Sequence, residues 1–445
     1  MAIRDIVKSA PAPFLLRLAA SYSGYPMILR ILLFALAAAA ASAADLPKEW
    51  VDSATGHRIV RLSEEPGSTS LYFNFNAYTP DGKTLVIATP AGIAAVDLTS
   101  RTLKKIVSDK VHLLFVGRKT GLVYYETASD RSAAPKTIYA ISASGGGAHA
   151  VATIAAGTIQ SINADETQLA GVEELGAPAP IGRDGLMHKA EGASKGAMMK
   201  ARLEANIPMR IFTVEIKTGA VRTVTQSTDW LNHLNFSPTD PGLLLYCHEG
   251  EWHRVDRLWL IRTDQATAQP LKLHSRSMAM EIAGHEWFSH DGKWIWYDLQ
   301  TPRGEDFWVA GYEIANGKRF WYHLARNEWS VHYHSSPATA TAPDSALFSG
   351  DGGDSGMVAH ASDGKWLYLF HPVATPENNT ADHAAAPAAL IHTGHFEAEK
   401  LVDMKDHQYH LEPNANFTPD GKWLVFRSNM QGAAQVYAVE VAKAR

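Results

Sequence analysis

Residues 417–426 read Phe-Thr-Pro-Asp-Gly-Lys-Trp-Leu-Val-Phe, and residues 78–87 read Tyr-Thr-Pro-Asp-Gly-Lys-Thr-Leu-Val-Ile. Proline presets φ, Asp and Gly take the tight turn, and the β-branched and aromatic residues beyond it fill a strand. The phrase therefore encodes strand, turn, strand. Weaker copies begin at Phe236 (Phe-Ser-Pro-Thr-Asp-Pro-Gly-Leu-Leu-Leu-Tyr) and at Phe288 (Phe-Ser-His-Asp-Gly-Lys-Trp-Ile-Trp-Tyr). Ser335-Ser336-Pro337 leads through a longer loop to Ala346-Leu347-Phe348-Ser349, and segments starting at Val116 and Ile162 fit the same slot without proline. Second strand pairs with apolar–polar alternation follow, for example at Gly92, Lys136 and Gln435. Repeats at roughly 40–50 residues are the mark of a propeller. The expectation is an all-β chain forming a seven-bladed β-propeller with four-stranded antiparallel blades. Residues 56–62 supply a closing strand beside the last blade. Residues 185–206, rich in Ala, Met, Lys and Glu, read as an inserted helix or lid in the third blade, and the Ala/Pro-rich stretch 373–389 reads as a loop.

Composition narrows the function classes. Apolar residues make up 46% of the 445 and charged residues 20%, which excludes global disorder. The net charge of −5 offers no basic field, so nucleic acid is not expected as a partner. Cys247 stands alone, which excludes an intramolecular disulfide and a cysteine-built zinc site. Histidine is the outlier. Of 20, sixteen lie after residue 229, so the chemistry belongs in that half.

From Met27 the chain reads MILRILLFALAAAAASAADLP: one Arg, a short apolar run, then Ala41-Ser42-Ala43. This is the layout of a secretory signal, and the run is too short for a membrane span of about 20 residues. Residues 1–43 are expected to be an upstream extension plus signal peptide, and 44–445 a single propeller domain. The protein is then periplasmic or secreted, with no membrane attachment after cleavage.

Aligned on the aromatic residue before Ser/Thr-Pro, the position three residues earlier carries His233, His285, His332 and Asn414. That position lies on the innermost strand of a blade, so the four should converge on one axis. His332-Tyr333-His334 puts two imidazoles on one strand face. Residues 407–414, His-Gln-Tyr-His-Leu-Glu-Pro-Asn, are dense in nitrogen and oxygen donors that suit Mn²⁺, Zn²⁺ or a similar divalent ion. Arg257 reads either as a surface ion pair with Asp256 or as a guanidinium fork for a carboxylate. Gly353-Asp354-Ser355-Gly356 mimics a serine-protease nucleophile segment without the rest of that pattern. No P-loop or dinucleotide fingerprint occurs.

The segments Trp230-Leu-Asn-His-Leu-Asn-Phe, Cys247-His-Glu-Gly, Val255-Asp-Arg-Leu-Trp-Leu-Ile, Gly284-His-Glu-Trp-Phe, Val331-His-Tyr-His, Phe348-Ser-Gly-Asp-Gly and His410-Leu-Glu-Pro-Asn-Ala-Asn-Phe-Thr-Pro resemble the oligogalacturonate lyase family of propeller polysaccharide lyases. The resemblance runs from about Ser70 to Val441 and is strongest after residue 228. It implies β-elimination on short uronic-acid oligomers, an acidic oligosaccharide substrate, with bound Mn²⁺. It places the base on His285, the catalytic arginine on Arg257, and metal ligands on His332, Gln408, His410 and Asn414. Asn414 stands where the family has its final histidine, and Glu412 or His334 could complete the sphere. His233 and His248 are expected to bind substrate. The rival expectations are a non-enzymatic, TolB-like periplasmic propeller that binds proteins, and a lyase for another uronate polymer.

Overall fold

The computed structural model describes residues 47–127, 135–176, 194–337, 346–354, 362–376 and 390–444. The targeting segment, residues 185–193, Ser355 and residues 377–389 lie outside them.

Glu49 to Arg445 is one compact unit, and among the described residues its regular structure is nearly all β-strand, paired antiparallel except at one junction. The repeated phrase folds as its chemistry dictates. At residues 78–87 and 417–426 the Pro-Asp-Gly-Lys segment is a turn; Gly82 and Gly421 take φ of 68° and 69°, and the Asp oxygen caps the Lys backbone N–H two residues on. The strands Thr84–Thr89 and Trp423–Ser428 then run out of these turns. Among the described residues six sheets result, of five, four, four, eight, three and four strands. The eight-stranded sheet runs from Ile282–Phe288 to Arg319–His323, then through a parallel pairing to Ile391–Asp403 and back to Tyr333–Ser335.

Clusters of buried residues stitch neighbouring sheets together, and the largest joins the two halves of the eight-stranded sheet. It packs Trp287, Trp296, Phe307, Trp329, Tyr333, Phe348 and Phe370 together. At roughly 25 cal/mol per Å², fully buried rings of this size are the largest single contributors to the fold. Ring closure is as expected: His57–Arg61 pairs antiparallel with Gln435–Lys443, so the N-terminal strand lies against the C-terminal hairpin.

Helix Lys195–Ala205 falls inside the 185–206 insertion, between strands Gln168–Glu174 and Met209–Glu215. Ser194 caps it by accepting from the Ala197 N–H at 3.1 Å, and Asn206 ends it in the left-handed region. It is held down rather than loose: Met198 and Met199 are buried, and buried Arg202 pairs with Glu174 and lies over the Trp230 ring at 4.6 Å. The expected loop at 373–389 starts later than its composition suggests. Strand Trp366–Ala374 carries Val373 and Ala374 into pairing with His395 and Gly394.

Candidate active site

In strand Ile282–Phe288, Gly284 pairs with Asp298 and Trp287 with Trp296, so His285 and Glu286 together oppose one partner residue. In Trp230–Phe236 the same happens to His233 and Leu234, between the pairs Asn232–Cys247 and Asn235–Leu245. These are one-residue bulges. Their first residue sits in the left-handed region: φ is 52° at His233 and 46° at His285. Asn414, before the short strand Asn416–Phe417, has φ of 52°. A non-glycine residue there costs on the order of 1–3 kcal/mol and is held only by its surroundings. The three aligned positions thus share a strained backbone that breaks the normal in-out alternation of the strand.

His285 Nδ1 lies 3.2 Å from Asp298 Oδ1, which fixes the ring and leaves Nε2 for chemistry. Burial lowers the His285 pKa, assisted by His332 and Arg257 and opposed by Asp298, so the ring is a neutral base near pH 7. Its ring centroid is 4.7 Å from that of His332. His332 gives Nδ1 to Asp351 at 2.8 Å, and the same carboxylate accepts the N–H groups of Val331, His332 and Asn414. A single buried aspartate therefore anchors both His332 and Asn414.

Arg257 is buried, and the bland ion-pair reading fails. Asp256 pairs with Lys272 and Arg276, while Arg257 approaches Glu286 at 3.3 Å through Nε and Glu249 at 3.5 Å through Nη1. Both contacts are long for charge-assisted bonds, and Nη2 makes none among the described residues. Gly284 gives the Asp298 carboxylate room: a Cβ there would stand 3.0 Å from its Oδ1, whereas Arg257 Nε at 3.9 Å would be in ordinary contact. Burial works to raise the Glu249 carboxyl, but His233, 3.7 Å away, together with Arg257 and Asn232 holds it well below the usual range.

Three expectations are corrected. His248 lies on the face of its strand opposite Cys247 and Glu249; it bonds Asp229 at 2.8 Å and stacks on Trp259, away from the His285 group. His334 is not a second ligand beside His332. Its Nδ1 accepts the Phe417 N–H at 3.3 Å, and its ring lines a different cavity. Gln408 and His410 are exposed on a turn, and neither side chain bonds to His332 or Asp351. Among the described residues no three His, Cys, Asp or Glu side chains are gathered to hold a metal ion.

The donors that remain nevertheless fit a hard cation. His332 Nε2, a lone pair once Nδ1 is committed, faces Glu412 Oε2 at 3.8 Å. Asn414 Oδ1 is buried without a partner, while its Nδ2 is tied to the Glu412 carbonyl at 3.1 Å. These acceptors have no donor to meet them, which is the chemistry of a cation site with nitrogen and oxygen ligands.

Some participants were not named from sequence. Asp298 and Asp351 lie on neighbouring strands or loops and touch their histidines only through sheet register. Tyr72 packs edge-on against His332 at 5.2 Å and His233 at 6.0 Å. Arg427 donates to the Glu412 carbonyl at 2.6 Å and straps residues 412–414 in place. Their only sequence signal was proximity to motifs, as in Cys247-His-Glu-Gly and Phe348-Ser-Gly-Asp-Gly.

An all-β ring that carries its imidazoles and guanidinium on and beside the innermost strands is a β-propeller with a polar site at one mouth. The chain belongs to the oligogalacturonate lyase family, whose sequence profile matches residues 202–444. The oligogalacturonide lyase of Pectobacterium atrosepticum is 25% identical over 239 residues, covering 52% of this chain and 55% of that protein. The oligogalacturonate lyase of Dickeya dadantii is 24% identical over 239 residues with the same coverage. The chain thus matches about half the length of these curated relatives. Two solved structures share the fold more broadly. An oligogalacturonate lyase in complex with manganese superposes with a TM-score of 0.65 at 19% identity, over 89% of this chain and 96% of that one. The Vibrio parahaemolyticus oligogalacturonate lyase gives 0.67 at 20% identity with the same coverage.

Proposed function

We propose that the protein is a carbon–oxygen lyase that cleaves short uronic-acid oligomers, of the oligogalacturonate kind, by β-elimination. The observation that supports this best is the neutral His285, oriented by Asp298, beside the buried Arg257. β-Elimination removes the weakly acidic C5 proton next to the C6 carboxylate and expels the C4 oxygen. His285 Nε2 takes the C5 proton. The open Nη2 of Arg257 binds the carboxylate on which negative charge develops. His233 and Tyr72 line the adjoining wall and orient the sugar. A divalent cation, Mn²⁺ by analogy with the solved relative, would be held by His332, Asn414 and Glu412, and when bound it supplies Lewis-acid neutralisation of that carboxylate. Gln408 and His410 reach it only if their turn rearranges.

The fold reading extends in the same way. Dividing the eight-stranded sheet at its parallel junction leaves seven sheet units, in keeping with seven blades. Residues 27–43 make the protein periplasmic or secreted, and N-terminal sequencing of the exported form should begin near Ala44.

The deciding experiment is an ultraviolet assay for the unsaturated uronate product with His285→Ala. Loss of product with an unchanged melting curve supports the base; retained product formation refutes it.

A further inference from the structure

A second polar cavity lies away from the His285 group, where the innermost strands end. Arg118 follows strand Val111–Val116 and His290 follows strand Ile282–Phe288, both in the turns that lead to the next strand. His334 projects to the same place, and the three line one cavity of about 430 Å³, counted with its open mouth. Arg257 and Glu249 belong to the other end, because Glu249 pairs with Trp230 at the start of its inner strand.

The lining has an unusual charge balance. None of its residues is an acid; the others include Asn74, Asn76, Asn416 and Thr418. Elsewhere on this protein arginines meet carboxylates, as Arg58, Arg101, Arg210 and Arg262 do. Arg118 has no hydrogen bond or ion pair among the described residues. Arg118 lines the cavity as a solvent-exposed residue, with its pKa lowered to about 10 by the protein packed near it. His334 adds a fixed donor: its Nδ1 accepts the Phe417 N–H, so the proton sits on Nε2. His290, exposed at the rim, adds a third nitrogen.

We propose that this cavity is a small-oxyanion site, built from Arg118, His334 and His290 and separate from the uronate-cleaving mouth. A guanidinium without a carboxylate partner, lining one cavity with two imidazoles and no acid, suits a tetrahedral anion such as phosphate, or a single carboxylate. The cavity has no room for an oligomer. Arg118 also lies outside residues 202–444, so the site does not follow from the family match.

Calorimetric titration of the full chain at low ionic strength tests this, with inorganic phosphate and galacturonate as separate titrants. Saturable binding of either, weakened at least tenfold in Arg118→Gln and about threefold in His290→Gln, supports the site. The titrant that binds tells whether it takes an inorganic anion or a uronate carboxylate. Absence of saturable heat for both, or unchanged affinity in Arg118→Gln, overturns it. Should Arg118→Gln melt abnormally, His290→Gln decides by the same criterion.

Discussion

The innermost strands of the N-terminal and C-terminal halves carry the same irregularity and use it differently. In Val111–Val116 and Thr158–Ile162 a one-residue bulge falls after Leu113 and after Ile159. In Trp230–Phe236 and Ile282–Phe288 it falls at the same place relative to the strand end. The N-terminal bulges keep ordinary φ and point buried leucine or isoleucine inward, at 4% exposure for Leu113 and 1% for Ile159. The C-terminal ones put histidine at positive φ. The bulge is therefore an architectural feature of the inner strand. On the proposed function the left-handed imidazole is what the C-terminal strands add, and at His285 the ring is held by Asp298.

That contrast is broken most directly by truncating the equivalent residue in each half. His285→Ala should cut product formation by about 10²–10⁴-fold, the usual contribution of a general base, and shift stability by less than about 1 kcal/mol because the ring is partly exposed. Leu113→Ala should do the reverse. It should cost about 2–5 kcal/mol in a denaturant melt while kcat holds. Equal stability losses in both would show that the two bulges do the same job.

The second test concerns what anchors the C-terminal strands in place of apolar packing. Asp351→Ala strands the buried backbone N–H groups of His332 and Asn414 and the His332 ring, while the Val331 N–H keeps the Gly352 carbonyl at 3.0 Å, and should cost about 3–5 kcal/mol. Asp351→Asn, which keeps the acceptor but not the charge, should recover part of that. A loss under 1 kcal/mol for the alanine variant would mean the polar anchor is dispensable.

What could be read from the chain follows the same division. The Pro-Asp-Gly turns and the closing strand at 56–62 are local chemistry, and they appear where the residues dictate. So does the slot of His233, His285 and Asn414, because it is counted from a turn. The partners Asp298, Asp351, Glu249 and Tyr72 are fixed by cross-strand register and by bulges, which no local pattern specifies. His248 shows the cost: it sits in the same segment as Glu249, but strand alternation turns it to the opposite face, against Asp229 and Trp259. The segment 407–414 looked like a row of ligands; it folds as a turn, which exposes Gln408 and His410 and buries Asn414.

The pH dependence sharpens the role of the strained histidine. Burial lowers the His285 pKa from its ordinary value of 6.5. The base works only when neutral, so activity falls as pH falls through that lowered value. The acid limb of kcat/KM should therefore have its midpoint below 6.5. In Asp298→Asn, which removes the charge that favours protonation, the limb should move lower still. A midpoint at or above 6.5 in the unaltered protein would assign the limb to another group.

The smallest expected effect separates strain from function at a single position. His233→Gly removes a side chain from φ of 52°, where glycine is at ease. Relief of the left-handed conformation is worth about 1–2 kcal/mol, offset by the lost contacts with Tyr72 and Glu249 and by the greater freedom of an unfolded glycine. Glu249 keeps Asn232 at 2.9 Å and Arg257, so no buried charge is abandoned. The net change should be a gain of up to about 1 kcal/mol in a thermal or denaturant melt, together with a raised KM and a largely preserved kcat. The same exchange at Ile159, in the unstrained N-terminal bulge, should only destabilise, by several kcal/mol. If His233→Gly destabilises to a similar degree, the left-handed histidine is there for packing rather than for the substrate.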